Sequence, residues 1–412
     1  MPEFLRLLPP DQAFKRWISS LPADLHTDSE RIATSASLGR VLAADLTAPE
    51  PLPAFQRATV DGYAVRAADT YGASPSLPAY LALVGEVLMG TAASMPLQTG
   101  QAQLVHTGGM IPPGADAVVM LEDTQPSRAG EVEALRPVAV GQNMIPIGED
   151  VRPGQVLLEA GKVLRPQEIG GLMALGILEV AVTRRPRVAI LSTGDEVIDP
   201  QQEPGPGQVR DVNSRSLAAL VEKAGGLPVA CGILPDRFDP LLAAAQRALH
   251  QHDVVVITAG SSVSRRDLTA EVIDRLGSPG VVVHGVAVKP GKPTILGAAE
   301  GIPIIGLPGN PVSALVIARV FITPLLRRML GQRGLVDEPT LRGRLTSNIA
   351  SEAGREDYQP VRLVDGADGL QVEPVFGRSN LIFTLVRADG LVRIPPEATG
   401  LPAGSTVEVL LF

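Results

Sequence analysis

The stretch "DVVVITAGSSVSRRDLTAEVIDRLG" (253–277) decides the reading of the fold. "DVVVITAG" is an apolar run of strand-forming residues, and "DLTAEVIDRLG" is a helix closed by Gly277, with a small polar loop between them. The same alternation runs to both sides. "RVAILST" (187–193) predicts a buried strand ending at Gly194. "SRSLAALVEKAGG" places Leu217, Leu220, Val221 and Ala224 on one helical face and stops at Gly225-Gly226. "PVACGIL" is the next strand, "DPLLAAAQRALHQ" the next helix, and "IPIIGLPG" leads into a helix that starts near Asn310. Strands alternating with helices predict a parallel, three-layer α/β sheet with right-handed crossovers over 184–333.

The rest of the chain has a different texture. Over 46–149, short apolar pieces such as "YLALVGEVL" and "DAVVMLED" are separated by Gly and Pro clusters, which predicts a β-rich domain. Residues 1–45 and 150–183 are more helical, with "EIGGLMALG" a helix, so the β-rich block is expected to be inserted into a helical and extended linking domain. From 334 to 412 the strands alternate apolar and polar residues, as in "YQPVRLV" and "STVEVLLF", which predicts a small terminal β-barrel.

Composition narrows the function classes. A chain of 412 residues suggests about two to four domains. Net charge is −8 and aromatics are 3%, so neither a basic field nor a stacking platform for nucleic acid is expected. The single cysteine, Cys231, excludes an internal disulfide framework, and its apolar neighbours predict an inert thiol. The start of the chain, "MPEFLRLLPPDQ", has no sustained apolar segment, which argues against secretion and for a cytoplasmic protein. The apolar segment 311–330 is interrupted by Arg319, Pro324 and Arg327-Arg328, so a buried helix is expected and no membrane partner.

In an open α/β sheet, ligands bind beyond the carboxyl ends of the strands. Three polar motifs fall at such ends: "STGDE" (192–196), "TAGSSVSRRD" (258–267) and "LPGNP" (307–311). Asp195 and Glu196 offer oxygen ligands of the kind Mg²⁺ takes together with substrate phosphate, or they belong to a solvated turn. The 258–267 loop either cradles an anion at a helix N-terminus, aided by Arg265 and Arg266, or is a capping box with Ser264 as N-cap and Asp267 at N3. "KPGKP" (289–293) holds Lys289 and Lys292 in a proline-restricted loop suited to a phosphate, or simply solvated. In "LPGNP", Pro311 suits a first helical position. His250 and His252 end an amphipathic helix, where a role at the helix terminus fits better than metal ligation.

Taken in order, "PLPAFQRATVDGYAV", "TGGMIPPGADAVVMLEDT", "GEDVRPGQ", "LSTGDEV", "VRDVNSRSL", the 258–269 loop, "VKPGKPTILG", "LPGNPVSA" and "GRSNLIFTLVRADGLVRIP" span essentially the whole chain. This ordered series resembles the molybdopterin molybdenumtransferases, the MoeA proteins and the E domain of gephyrin. The resemblance implies a four-domain subunit that dimerises, with the β-rich block of one subunit completing the site of the other. It implies insertion of molybdate into adenylylated molybdopterin, with Mg²⁺ as cofactor and release of AMP. By position, Asp61, Thr107, Asp150, Glu196 and Asp267 match the family's functional polar residues, Glu196 and Asp267 being the expected metal ligands. Lys289 and Lys292 match its basic loop and Ser379 its carboxy-terminal serine. Gly194, Asp195, Ser262, Arg265, Arg266, Pro308, Asn310 and Pro311 lie in the same motifs and are expected to bind substrate.

The chain also departs from the family pattern. "RATVDGYA" stands for the usual "NSAMDGYA", "DVN" for "DSN" at 211–213, and Ser379-Asn380 for Ser-Gly. The loop "TAGSSVSRRD" stands for "SGGVSVGxxD", with Ala259 and Ser264 in place of glycines. Its "RRDLT" ending is similar to the related adenylyltransferases (MogA-like, the gephyrin G domain). An adenylyltransferase and a non-catalytic molybdopterin-binding scaffold are therefore the alternatives to the insertase.

Overall fold

The computed structural model describes residues 7–259, 263–333, 340–367 and 369–412, with the main chain alone for 259 and 263–267. Its largest domain is built on a six-stranded sheet. The strand order is Leu227–Leu234, Arg187–Thr193, Val254–Ala259, Ile302–Pro308, Ile295–Ala299 and Pro279–His284. Alternate residues feed two cores. Val188, Ile190, Val254 and Val256 pack with Leu217 and Val221 of the helix Asn213–Lys223. Ala189, Leu191, Val255 and Ile257 pack with Leu241 and Ala245 of Phe238–Gln251, and with Val272 and Ile273 of Val263–Leu276. Both faces of the central strands Arg187–Thr193, Val254–Ala259 and Ile302–Pro308 are buried, which is why they read as continuous apolar runs.

One expectation needs correction: the sheet is mixed. The first four strands are parallel, but Ile295–Ala299 and Pro279–His284 run antiparallel at one edge. Only Glu300 and Gly301, both at positive φ (52° and 79°), separate Ile295–Ala299 from Ile302–Pro308. A two-residue turn joins antiparallel neighbours and leaves no room for a crossover helix.

The amino-terminal helix Pro10–Ser19 also packs here. Trp17 is fully buried and its indole N–H donates to the Gly297 carbonyl at 2.7 Å, while Ala13, Leu21 and Leu25 join the same core. Part of 1–45 therefore sits on the antiparallel edge of the α/β sheet and not in the linking domain, because its apolar face finds the larger core there. Residues 311–330 form the expected buried helix in three parts: Pro311–Ile317, a π-helical turn Ala318–Ile322, and Thr323–Met329. Among the described residues, no helix is long and apolar enough to cross a membrane.

The linking domain is tied by long-range pairs. Ser29–Ala33 pairs with Glu179–Thr183, and Leu46–Thr47 with Val156–Leu158, around Leu42, Leu164, Leu172, Val180 and Val182. Between these pairs the chain leaves to form the inserted β-rich domain. Its curled six-stranded sheet is ordered Ala117–Met120, Gly62–Val65, Gln101–Val105, Ala79–Glu86, Glu131–Ala134, Thr124–Pro126. Ala64 and Val118 face one core of this domain, Val65 and Val119 the other.

At the carboxy terminus, Glu356–Gly366, Gly369–Pro374, Thr340–Leu345, Thr406–Leu411 and Gly390–Ile394 pair in a ring that closes back on Glu356–Gly366. This is the expected barrel, filled by Leu345, Val361, Val372, Val392 and Val409. Cys231 is half-buried, and burial pushes its thiol pKa up, away from nucleophile behaviour. His252 follows the helix Phe238–Gln251 with Nδ1 3.0 Å from the Ala248 carbonyl oxygen, in keeping with a helix-terminus role.

The helix Pro166–Ala174 shows how a charge shapes the linking domain. Glu168 accepts from the Arg165 main-chain amide at 2.9 Å and pairs with its guanidinium at 2.5 Å. The Arg165 guanidinium holds the Glu168 carboxyl down at about 2. A carboxyl with a depressed folded pKa adds stability that is full above its unfolded value, 4.5, and is lost as pH falls towards 2. Arg165 is half exposed, so solvent screens the pair and the capping value of about 1 kcal/mol is the appropriate scale. We expect Glu168→Gln to cost about that much at pH 7. Denaturant unfolding across pH should show the difference from wild type vanishing towards pH 2; a constant difference would contradict it.

Candidate active site

The parallel strands bring the three polar motifs to one edge. In register, Thr193 lies beside Leu234, Ser192 beside Thr258, and Ala259 beside Pro308. The Thr193 hydroxyl donates to the Thr258 carbonyl at 3.1 Å, fixing two of the strand ends to each other. Gly194 has φ 149°, and a Cβ there would lie 2.6 Å from Val197 Cγ2, so the turn into Asp195-Glu196 needs glycine. Asp195 is exposed, and its carboxylate and amide exchange 3.3 Å contacts with those of Asp236. Glu196 is half-buried beside it.

Two residues of this crevice lie in the "DVN" motif but were given no role from sequence. Asp211 is buried, accepts from the Ser192 hydroxyl at 2.8 Å and from the Ser214 amide at 3.0 Å, and so ties a strand end to the start of the helix Asn213–Lys223. Asn213 donates its side-chain amide to the Gly309 carbonyl at 2.8 Å and holds the "LPGNP" turn. The signal was an Asp three residues ahead of a helical amide, which is the Asx-type capping pattern.

Helix Val263–Leu276 starts one residue before Ser264, so Ser264 is inside the first turn and is not the N-cap expected from the capping-box reading. Ser262 and the side chains of Arg265, Arg266 and Asp267 lie outside the described residues.

Between the α/β domain and the barrel is a cavity of about 780 Å³. Lys289, Lys292, Pro308, Asn310 and Ser379 all line it. Asn310 donates its side-chain amide to the Ser379 hydroxyl at 3.0 Å, and the Val312 amide donates to the Ser379 carbonyl at 3.1 Å. Pro311 opens the helix Pro311–Ile317 as expected. Gly291 has φ 123°, and a Cβ there would sit 2.3 Å from Ile317 Cγ1, so "KPGKP" can press against that helix only as glycine.

Three charged residues of the same wall, Arg355, Asp357 and Arg378, were also missed from sequence. Asp357 accepts from Arg355 Nε at 2.9 Å and lies 3.6 Å from Lys289 Nζ. The signal available was "RED" (355–357) entering a strand: two adjacent acids cannot both occupy the polar face of an alternating pattern.

Asp61, Thr107 and Asp150 are elsewhere. Asp61 Oδ1 accepts from the Thr107 amide at 2.7 Å and from its hydroxyl at 3.1 Å. These bonds, the amide's first, hold the Asp61 carboxyl below its usual range. The His106 imidazole lies 4.0 Å from Asp61 and 2.7 Å from Glu86. Asp150, with Glu168, borders a separate hollow of about 260 Å³ in the linking domain. Among the described residues, no hydrogen bond or ion pair joins Asp61 or Thr107 to the strand-end crevice.

Comparison with known proteins accounts for the order of the domains. Residues 8–176 match the MoeA N-terminal region (domain I and II), 189–328 the "Probable molybdopterin binding domain", and 342–412 the MoeA C-terminal region (domain IV). A molybdopterin molybdenumtransferase of Haemophilus influenzae is 33% identical over 98% of this chain and 98% of its own length. One from Bacillus subtilis is 32% identical over 93% of this chain and 90% of its own. The crystal structure of a molybdopterin biosynthesis MoeA protein from Pyrococcus horikoshii superposes with a TM-score of 0.85 at 32% identity, covering 99% of this chain and 100% of that one. The three matched regions and the near-complete coverage are those of one family, and the chain belongs to the MoeA molybdopterin molybdenumtransferases.

Proposed function

We propose that this chain is a molybdopterin molybdenumtransferase of molybdenum cofactor biosynthesis, acting in the cytoplasm. It inserts molybdate into adenylylated molybdopterin with Mg²⁺-dependent release of AMP. The observation that carries the reading is the cavity between the α/β domain and the barrel. Lys289, Lys292, Arg355 and Arg378 give it a cationic wall in a protein of net charge −8, and it opens beside the strand-end crevice. Both substrates are anions, and such a wall concentrates them where the global field does not.

The donor set suits Mg²⁺. Among the described residues, no three His, Cys, Asp or Glu side chains cluster as a metal cage. Mg²⁺ does not need one, since it commonly takes one or two carboxylates and completes its shell with water and substrate phosphate. Glu196 at the end of Arg187–Thr193 offers such a carboxylate, and Asp267, the other ligand we propose, follows the neighbouring strand. Bound there, the ion would neutralise charge developing on the phosphoanhydride.

The chain's own groups do the rest. Lys289 and Lys292 hold anionic oxygens, and the Asn310–Ser379 pair orients a hydroxyl on the cavity wall. Phosphoanhydride cleavage needs positioning and charge stabilisation more than a protein nucleophile, which fits the inert Cys231. Asp61 accepts two hydrogen bonds from Thr107 and, among the described residues, makes none to this crevice within one subunit. We therefore propose a homodimer in which the β-rich block of the second copy brings Asp61 and Thr107 to it.

The test is to supply purified protein with adenylylated molybdopterin and molybdate, and separately with molybdopterin and ATP. AMP release that depends on molybdate and Mg²⁺ is the expected result. Adenylylation by ATP without it would move the assignment to an adenylyltransferase, and binding without turnover to a scaffold. In the same assay Glu196→Gln should lower turnover at least about tenfold with the unfolding midpoint nearly unchanged. Normal turnover in that variant would remove the metal role given to Glu196.

A further inference from the structure

Among the described residues, Asp357 is the only acid on the wall of the large cavity, facing four basic side chains. A carboxylate in a site for anions opposes their binding by charge alone, so its presence calls for another reason. The Asp357 side chain is 6% exposed, against 55% for Lys289 and 27% for Arg355. It is therefore the fixed member of the group. The backbone fixes it further: Lys289 is directly opposite Asp357 in a short parallel pairing that joins the α/β domain to the barrel. One oxygen of Asp357 takes Arg355 Nε at 2.9 Å, the other lies 3.6 Å from Lys289 Nζ. Glu352 takes Arg355 Nη1 at 2.7 Å, leaving Nη2 outside both pairs. Lys292 makes no ion pair with the described residues.

We infer that Asp357 is a positioning residue for a tetrahedral oxyanion: it holds Lys289 and Arg355 at fixed places on the cavity wall, so that an incoming molybdate or substrate phosphate meets ordered cations. The inference rests on the function proposed above. It adds that the geometry of the cation pair, and not the count of positive charges, sets anion affinity. Ordering the two long side chains in advance spares the ligand that entropic cost on binding.

The two roles differ in sign. Asp357→Asn removes a negative charge, so a mere counter-charge would leave the site binding anions more tightly. Positioning predicts the reverse. Full-length wild type, Asp357→Asn and Asp357→Glu would be titrated calorimetrically with inorganic phosphate and with molybdate, with thermal unfolding in parallel. We expect Asp357→Asn to bind both anions about tenfold more weakly, and Asp357→Glu to recover much of the loss. In turnover, the KM for whichever substrate presents its anion to this pair, molybdate or adenylylated molybdopterin, should rise with kcat within about twofold. Unchanged or tighter anion binding by folded Asp357→Asn overturns the inference, as does failure of wild type to bind either anion. Should Asp357→Asn fail to fold, Asp357→Glu decides: an about threefold loss is expected, since the added methylene moves the carboxylate, and none overturns it. Absence of molybdate-dependent AMP release in wild type would sink the proposed function, while the phosphate titration would still decide the role of Asp357.

Discussion

The pairing of Val288 with Glu356 and of Lys289 with Asp357 is the constraint on which the candidate site depends. These two residue pairs join the basic loop of one domain to the first strand of another, helped by the Glu356 amide donating to the Ala287 carbonyl at 2.9 Å. Side chains alternate along a strand, so a slip of one residue would turn Lys289 away from Asp357. On its barrel side the same strand is fixed by a buried charge. Glu356 is 4% exposed and is satisfied by the Tyr358 hydroxyl at 2.5 Å and by Arg393 at 2.6 Å. A buried carboxylate without such partners would be strongly unfavourable, so registers of Glu356–Gly366 against Gly390–Ile394 that part Glu356 from Arg393 are selected against. Burial and the neighbouring Glu356 push the Tyr358 pKa well up, so the phenol stays a donor at any working pH.

Much of the architecture was readable from local pattern because the pattern has local causes. Arg187–Thr193, Val254–Ala259 and Ile302–Pro308 are apolar on both faces, and that alone predicts a sheet covered by helices on both sides. The antiparallel edge was not readable, since strand direction follows from how Glu300-Gly301 turns and not from the composition of Ile295–Ala299. Trp17 lies 280 residues from its hydrogen-bond partner Gly297, a contact to which no spacing rule points. The amino-terminal helix was recognisable; its place was not.

The site divides in the same way. Gly194, Asp195 and Glu196 follow a strand, and Asn310 and Pro311 open a helix, so their positions follow from topology. Lys289 and Lys292 were offered by a proline-restricted loop and matched by family resemblance, Ser379 by resemblance alone, and all three line one cavity. Arg355 and Asp357 escaped because their roles exist only once the barrel docks. Asp61 and Thr107 illustrate the reverse. The resemblance implied that they complete the site of the other subunit, and within one subunit they form a polar cluster of their own, without a hydrogen bond or ion pair to the crevice among the described residues. The proposed symmetric dimer would meet that expectation, since its axis can bring one copy's β-rich block to the other's strand ends.

That claim separates cleanly from a site built within one subunit. Asp61→Asn and Glu196→Gln would be prepared as separate inactive variants, dissociated, mixed in equal amounts and reassociated. If each site combines one copy's Asp61 with the other's Glu196, half the dimers are mixed and each has one intact site. The mixture should then recover about a quarter of wild-type molybdate-dependent AMP release. A mixture of folded, dimeric variants that stays inactive would contradict the shared site.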